Sequence, residues 1–353
     1  MIDRNRSEAE FTLDPPADRD FRRGGTAELV DSLRDFLGRD LGRVERTIEQ
    51  SISGDPRYSA SFRQAGAMGG KRLRPMLVLL SARATTESIN VRHQQELAQI
   101  AASVELVHAA SLVHDDVLDE ADMRRHQPTA RAKLGNRRAI LLGDYLFTRA
   151  YALAAQCRST LPARQIAAAA SSLCIGELSQ GDASGDWTIS QANYRRMLVQ
   201  KTGSLCGTAC RLGAWLVGAD RQLQRSVGRF GVLLGLAFQI YDDWLDYWGE
   251  APHVGKTLGT DLKQAKATLP ILRYLSEASP EACGELREIL DSPAPDQFDR
   301  VLAVLNTSDA EQYTLETAKR LSDRAASMLR ILPDTEAKQF LVALSHYATN
   351  RSR

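Results

Sequence analysis

The chain has 353 residues, of which 43% are hydrophobic, and its 45 Lys and Arg almost balance 44 Asp and Glu, for a formal net charge of +1. This balance excludes a general attraction to nucleic acid or to an anionic membrane surface, so phosphate binding would have to come from local clusters of charge. Because no apolar run approaches the roughly 20 residues that a membrane span needs, we predict no transmembrane segment.

The first 25 residues mix Asp, Glu and Arg and lack an apolar segment. This composition fits neither a signal peptide nor a transit peptide, and we predict a disordered tail over residues 1–25.

The cysteines lie in apolar stretches, and no nearby Cys or His completes a zinc set around the pair that is four residues apart. We therefore interpret all five as reduced core residues, which suits a cytoplasmic protein. They are Cys157, Cys174, Cys206, Cys210 and Cys283.

From about Thr26 onward the sequence is helical nearly throughout, because good helix formers dominate and apolar residues recur at spacings of three and four. We find no strand alternation, no repeat and no linker long enough to divide the chain. We predict one all-α domain over residues 26–353. Residues 101–113 and 230–240 are apolar over most of a helical circumference, which places them inside the domain.

An acidic cluster extends each of these two apolar helices. In each cluster the carboxylates lie at helical spacing on one face, where like charges repel. Hard divalent cations with oxygen ligands would supply the counter-charge, and Mg²⁺ combines a few carboxylates with water and phosphate oxygens. The duplicated clusters therefore predict a diphosphate held between them. The clusters are Asp115, Asp116 and Asp119, and Asp242, Asp243 and Asp246.

Basic residues accompany both acidic clusters. Each alone would be an ordinary surface cation, but together they predict two anion pockets, one bridged by metal ions and one lined by Arg and Lys. The cations concerned are Lys71, Arg74, Arg124, Arg125, Lys201, Lys256 and Lys266.

From about Leu37 to its end the chain resembles the trans-isoprenyl (polyprenyl) diphosphate synthases. Five blocks carry the resemblance in the family's order: residues 69–75, 105–125, 142–146, 201–202, and 238–246 followed by 255–262 and 266–270. The resemblance implies a bundle of antiparallel helices around a deep central cavity (isoprenoid synthase-like), usually as a homodimer. It also implies a prenyltransferase that adds isopentenyl diphosphate to an allylic diphosphate.

The resemblance assigns roles to the matching positions. Mg²⁺, as three ions per site with substrate bound, would be held by Asp115, Asp116, Asp119, Asp242 and Asp243, with Asp246 in support. The resemblance counts as catalytic the first five of these aspartates and Lys201. The allylic diphosphate would be gripped by Arg124, Lys201, Thr202, Gln239, Lys256 and Lys266. Isopentenyl diphosphate would contact Lys71, Arg74, His108 and Arg125.

Three positions depart from the family pattern. His126 and Ala265 stand where Gly is usual, and Gly203 stands where Ala is common. None removes a charge or a ligand, so they bear on loop geometry near Arg125 and Lys266. His114, beside the acids, is interpreted as a hydrogen-bonded helix residue without an acid–base role.

The helix before the first cluster bears on product length, because each turn spans about 5.4 Å, comparable to one isoprene unit. Short-chain members commonly carry an aromatic residue four or five places before the first Asp. Here Ser111 and Ala110 are small, with Val107 alongside. This favours a medium- or long-chain product, hexaprenyl to decaprenyl, such as a quinone side chain. A facing residue such as Phe147 is an alternative floor. We expect Ala110→Tyr to shorten the products.

Other interpretations remain open. The chain is alternatively a geranylgeranyl or farnesyl diphosphate synthase, or a class I terpene cyclase or head-to-head condensing enzyme. An alternative of another class is a non-catalytic subunit of a heteromeric synthase. A peripheral membrane contact during product release is also expected, whereas nucleic acid is not expected as a partner.

Overall fold

The computed structural model describes residues 26–53, 72–86, 88–124, 127–249 and 258–350. The predicted tail over residues 1–25 lies outside these ranges. Within them the chain is almost entirely helical, and strands occur only in a hairpin that pairs Met123–Arg124 with Gln127–Pro128. The all-α prediction is confirmed.

The described ranges contain the following helices. They are α1 (Thr26–Ile52), α2 (Leu73–Arg83), α3 (Val91–Leu118), α4 (Ala130–Leu134), α5 (Asn136–Ala155), α6 (Leu161–Asp182), α7 (Gln191–Leu198), α8 (Ser204–Leu216), α9 (Arg221–Trp248), α10 (Thr260–Lys263), α11 (Leu269–Glu277), α12 (Pro280–Leu290), α13 (Gln297–Leu305), α14 (Ala310–Met328) and α15 (Glu336–Tyr347). A π-helical segment, Val199–Gly203, joins α7 to α8, and a 3₁₀ turn, Leu329–Ile331, follows α14.

The two longest core helices are α3 and α9, each 28 residues long. Both begin at an N-cap side chain: Asn90 accepts from the His93 amide at 2.8 Å, and Asp220 accepts from the Leu223 amide at 2.8 Å. Such caps satisfy donors that the first helical turn leaves free. Helix α3 packs along α5, and α9 packs against α8 and α14.

These helices are interior, as predicted from their apolar circumference. By length and composition α3 is also apolar enough to cross a membrane, but 83% of its most apolar window is buried in the protein. A core helix passes the same test because burial in protein and in lipid both select apolar residues. Helix α9 joins two hydrophobic clusters, with Phe230 and Leu234 in one and Ile240 and Trp244 in the other.

The cysteine prediction is confirmed for four residues and wrong for one. Cys157, Cys206, Cys210 and Cys283 are buried free thiols, whereas Cys174 is exposed on α6. Its apolar neighbours suggested a core position, but they lie on a face of α6 that this chain leaves uncovered, where Leu178 is 69% exposed.

Candidate active site

Both acidic clusters lie at the carboxyl ends of buried helices. Asp115 and Asp116 occupy the last turn of α3, and Asp119 is its C-cap, donating its amide to the Asp115 carbonyl at 2.8 Å. The second cluster occupies the last two turns of α9. A helix C-terminus already carries partial negative charge, so the carboxylates are repelled by the helix dipoles and by one another. This arrangement calls for bound positive charge.

In the first cluster the surroundings of Asp115 disfavour its ionised form. Burial, and then the nearby carboxylate of Glu177, raise its pKa to about 7, against the attraction of Lys201 and Arg124. Asp116 is fully buried and accepts a hydrogen bond from Arg124 Nε at 2.7 Å. Its other oxygen has no hydrogen-bond partner among the described residues. Asp116 therefore orients Arg124 and keeps one oxygen free.

Lys201 lies beside the first cluster. Its Nζ donates to Glu177 at 2.9 Å and to Gln180 at 2.8 Å, both on α6. Burial alone would lower the pKa of Lys201, but the attraction of Asp115 and Glu177 exceeds that effect and raises it. Lys201 is thus held as a cation. It lies in the π-helical segment, and such segments re-aim side chains and often occur at functional sites.

The departure at Gly203 has a steric reason. A Cβ at Gly203 would lie 2.9 Å from Leu236 Cδ1, and one at Gly235 would lie 3.1 Å from the Gly203 Cα. The π-helical segment therefore packs closely on α9, with Gly203 opposite Gly235. This contact accompanies the approach of the Thr202 hydroxyl to Gln239 of α9.

In the second cluster Asp243 is buried, and both of its oxygens are engaged. The Tyr194 hydroxyl donates to Oδ2, and Gln239 Nε2 donates to Oδ1 at 3.1 Å. Burial, and then the neighbouring carboxylate of Asp261, raise the pKa of Asp243 to about 8. Gln239 in turn lies 3.5 Å from the Thr202 hydroxyl. Lys201 therefore interacts with the first cluster through Asp115, and Thr202 lies next to the second cluster through Gln239.

The segment after α9 returns to the first cluster. Asp246 caps α10, since its two oxygens accept from the amides of Thr260 at 3.1 Å and Asp261 at 3.0 Å. Lys266 then places its Nζ 3.5 Å from an oxygen of Asp119. Asp242 is exposed at the same end of α9. These contacts bring the two clusters, distant in sequence, to one site.

Ala265, the other described departure, adopts a left-handed backbone conformation with φ of 50°. Its carbonyl accepts from the Gly185 amide at 2.9 Å, which holds the loop against the end of α6. The loop therefore has the shape that glycine would favour, although a methyl group is present.

The predicted second anion pocket lies partly outside the described residues, since Lys71 and Arg125 are not among them. Lys256, predicted to contact the allylic diphosphate, and the departure His126 also lie outside. Arg72 bridges Glu45 at 2.7 Å and Glu105 at 3.1 Å and fixes the start of α2. Arg74 follows with a buried Nε that has no hydrogen-bond partner in the described part of the chain. His108 is half-buried on α3.

The chain-length candidates on α3 are all buried. Ala110 and Val107 have no exposed surface, whereas Ser111 retains 6% and donates its hydroxyl to the His108 carbonyl at 2.9 Å. Phe147 lies beside the last turn of α3, with its ring 5.8 Å from that of His114. All three α3 residues are therefore buried, and Ser111 lies one turn before Asp115.

A divalent cation fits this site by the chemistry of its donors. Among the described residues no three acidic, His or Cys side chains already form a metal-binding group, and the ammonium groups of Lys201 and Lys266 lie beside Glu177 and Asp119. The donors are nonetheless all hard oxygens. The raised pKa values of Asp115 and Asp243 and the unpaired oxygen of Asp116 show a shortage of counter-charge.

Sequence reasoning missed four residues that the structure brings to the site. Glu177 and Gln180 lie three apart on one face of α6, a spacing that is ordinary for a solvated helix. Asp261 lies in the block at residues 255–262, but the resemblance assigned it no role, and the sequence around Tyr194 gave no signal. Their functions depend on tertiary contacts with Lys201 and Asp243.

Comparisons with known proteins agree with this geometry. A family model described as polyprenyl synthetase matches residues 55–307. The octaprenyl diphosphate synthase of Escherichia coli (strain K12) is 32% identical over 329 residues, covering 92% of this chain and 99% of that protein. A decaprenyl diphosphate synthase structure from Rhodobacter capsulatus aligns with a TM-score of 0.85 and 30% identity, covering 92% of this chain and 99% of that one. A polyprenyl synthase from Caulobacter crescentus CB15, complexed with calcium and isoprenyl diphosphate, aligns with a TM-score of 0.83 and 32% identity. The alignment covers 92% of this chain and 98% of that one.

Proposed function

The chain belongs to the polyprenyl synthetase family, and on that premise we propose that it condenses isopentenyl diphosphate with an allylic diphosphate. The addition is sequential and head to tail (1′–4), and the product is an all-trans chain of medium or long length. The observation that carries the proposal is the convergence of Asp115, Asp119 and Asp243 around Lys201 and Thr202. Two carboxylate clusters facing fixed cations suit a ligand with two adjacent phosphate groups.

The side chains at the site would grip the allylic diphosphate and stabilise its departure. Lys201, fixed by Glu177 and Gln180, and Arg124, fixed by Asp116, present preorganised positive charge. Such charge lowers the barrier to breaking the allylic C–O bond, because negative charge develops on the leaving diphosphate. Lys266 would add a third cation from the opposite side.

The aspartates would hold Mg²⁺ against the same diphosphate. Asp115 and Asp119 would bind from the α3 side and Asp242 and Asp243 from the α9 side, with Asp246 shaping the loop. When bound, the ions, three per site in our proposal, supply Lewis-acid neutralisation of the leaving diphosphate. The calcium in the Caulobacter polyprenyl synthase supports a hard-cation site of this kind.

Isopentenyl diphosphate would occupy the second anion pocket. Arg74 is half-buried and offers an Nε that has no hydrogen-bond partner among the described residues, and Lys71, His108 and Arg125 are proposed to complete the pocket. Holding the two substrates in one orientation converts the condensation into an effectively unimolecular step. The double bond then attacks the allylic cation, and the departing diphosphate takes the proton.

We place the product in the hexaprenyl to decaprenyl range. The small residues Ser111 and Ala110 precede Asp115 where an aromatic floor would stop a short chain. The names of the octaprenyl and decaprenyl relatives support this range. A geranylgeranyl or farnesyl product is the alternative.

One assay tests the proposal directly. Purified protein would be incubated with Mg²⁺, isopentenyl diphosphate and several allylic primers, and the products sized by mass spectrometry. We expect products longer than geranylgeranyl diphosphate. Asp115→Ala should reduce turnover by about 10²-fold or more. Asp31→Ala, on the exposed face of α1, is the matched control and should change nothing.

The same assay separates the alternatives. A terpene cyclase would convert the allylic diphosphate alone to hydrocarbon or alcohol, whereas the proposed enzyme needs isopentenyl diphosphate. A non-catalytic subunit would be inactive until a partner protein is added. The second-substrate cations Lys71, Arg74 and Arg125 argue against a cyclase, and the acidic clusters together with the cations argue against a non-catalytic subunit.

We further propose a homodimer located in the cytoplasm. The exposed apolar face of α6, with Ile175 48% and Leu178 69% exposed, supports an interface between two copies. Product release would involve peripheral membrane contact and no transmembrane segment. Analytical ultracentrifugation showing only monomer would contradict the dimer.

A further inference from the structure

The segment 142–146 and His114 have no role in the proposed chemistry, yet they contact each other directly behind the first acidic cluster. His114 immediately precedes Asp115 on α3 and turns its ring toward α5. Its Nε2 lies 3.0 Å from the Ile140 carbonyl oxygen and 3.5 Å from Asp144 Oδ1. Its ring also contacts Phe147, with centroids 5.8 Å apart.

Gly143 forms the floor of this contact. A Cβ added there would lie 2.2 Å from His114 Nε2 and 2.4 Å from its Cδ2, far inside van der Waals contact. Any other residue at this position would therefore expel the imidazole from the surface of α5. We define the His114 socket as Ile140, Gly143, Asp144 and Phe147.

The hydrogen bonding fixes the ring. Both partners of Nε2 are oxygen atoms that only accept, a carbonyl and a carboxylate, so Nε2 carries the hydrogen. The donated bond ties the last turn of α3 to the backbone of α5. That turn needs an anchor, because Asp115 is repelled by Glu177 and by the negative end of its own helix.

We propose that His114 is a positioning residue: the imidazole, seated against Gly143, fixes the direction of the Asp115 and Asp119 carboxylates and so sets the affinity of the site for Mg²⁺ and diphosphate. This inference rests on the proposed function in that the carboxylates are taken as metal ligands. Its physical basis is that outer contacts orient the ligands of a metal, and their loss lowers metal affinity about 10–100-fold.

Calorimetry on the full-length protein tests the proposal. Inorganic pyrophosphate is titrated at increasing Mg²⁺ to give the Mg²⁺ concentration for half-maximal binding. His114→Ala and Gly143→Ala should each raise this midpoint by about tenfold, the lower end for lost outer contacts. His114→Gln, whose side-chain amide can donate to the Ile140 carbonyl, should return the Mg²⁺ midpoint most of the way to the wild-type value. Gly38→Ala, a helical glycine with open space around it, is the matched control and should leave the midpoint unchanged.

Steady-state kinetics add a second readout. The KM for isopentenyl diphosphate should stay the same in the variants, because its pocket is separate, while the Mg²⁺ requirement rises. An unchanged Mg²⁺ midpoint in folded His114→Ala and Gly143→Ala would overturn the proposal. If these variants do not fold, His114→Phe retains the ring without the N–H, and an unshifted midpoint there has the same meaning. Wild-type protein that fails to bind pyrophosphate with Mg²⁺ would instead refute the proposed function.

Discussion

Asp243 shows how single residues hold a buried charge at this site. Its side chain is 3% exposed, and each oxygen accepts one hydrogen bond, from Tyr194 and from Gln239. Burying a carboxylate is unfavourable unless such partners compensate for lost water. Tyr194 is itself buried, so its hydroxyl is committed to Asp243.

Tyr194→Phe should therefore reduce both stability and turnover. The change keeps the ring but leaves one Asp243 oxygen without its donor, which should lower the free energy of unfolding by about 1–3 kcal/mol. Turnover should fall by about tenfold, since a misaligned ligand weakens the metal site. Urea denaturation and steady-state kinetics provide the two measurements.

Tyr313→Phe is the control. The Tyr313 hydroxyl donates to Gln191 Oε1 at 2.9 Å, and neither residue belongs to the acidic clusters. This substitution should lower stability without changing turnover. Equal turnover in Tyr194→Phe and wild type would show that Tyr194 has no role in aligning Asp243.

Ala265→Gly should stabilise the protein. The left-handed backbone costs a non-glycine residue about 1–2 kcal/mol, while glycine adds about 0.4–1 kcal/mol of unfolded-state entropy. The difference predicts a gain of up to about 1.5 kcal/mol in unfolding free energy, and chemical denaturation would measure it. A lower denaturation midpoint in the glycine variant would contradict the strain assigned to Ala265.

At the scale of elements, α3 and α9 each end in carboxylates that oppose the helix dipole. Burial, and then a neighbouring carboxylate, raise the pKa of Asp115 to about 7 and that of Asp243 to about 8. An unfolded Asp has a pKa of about 3.9. Between about pH 4 and 8, Asp115 and Asp243 therefore bind more protons in the folded metal-free protein than in the unfolded chain. The stability of the metal-free protein therefore falls as pH rises through this window.

Thermal denaturation in EDTA should show this trend, with a lower midpoint at pH 8 than at pH 6. Adding Mg²⁺ and pyrophosphate should reduce the slope, because the bound ions favour ionised carboxylates and stabilise the folded state. A midpoint that rises with pH in EDTA would contradict the raised pKa values.

Helix α3 also bears on product length. Ser111→Phe should shorten the products, because it introduces an aromatic ring one turn before Asp115, the first residue of the acidic cluster. Ala110→Tyr should do the same, and both changes should lower the free energy of unfolding by about 1–3 kcal/mol, since Ser111 and Ala110 are both buried. Ser111→Ala is the control. Mass spectrometry showing one product distribution for all three variants would refute this role of α3.

At the scale of the whole molecule, the sequence predicted what depends on periodicity and local spacing. The apolar circumferences of α3 and α9 placed both helices in the core, and the two aspartate clusters followed from their positions at the helix ends. The contacts of Glu177 and Tyr194 could not be predicted, because they join elements far apart in the chain. The π-helical turn at Lys201 was also missed, since it depends on the close approach of Gly203 to α9.

The measurement that tests the account most directly is calorimetric titration of the protein with farnesyl diphosphate in the presence and absence of Mg²⁺. Asp119 and Asp242 belong to different clusters and are both exposed, so Asp119→Ala and Asp242→Ala should fold normally. We predict that binding requires Mg²⁺ and that each substitution weakens it by about tenfold or more. Binding that is independent of Mg²⁺, or insensitive to the loss of either carboxylate, would contradict a shared site between the two clusters.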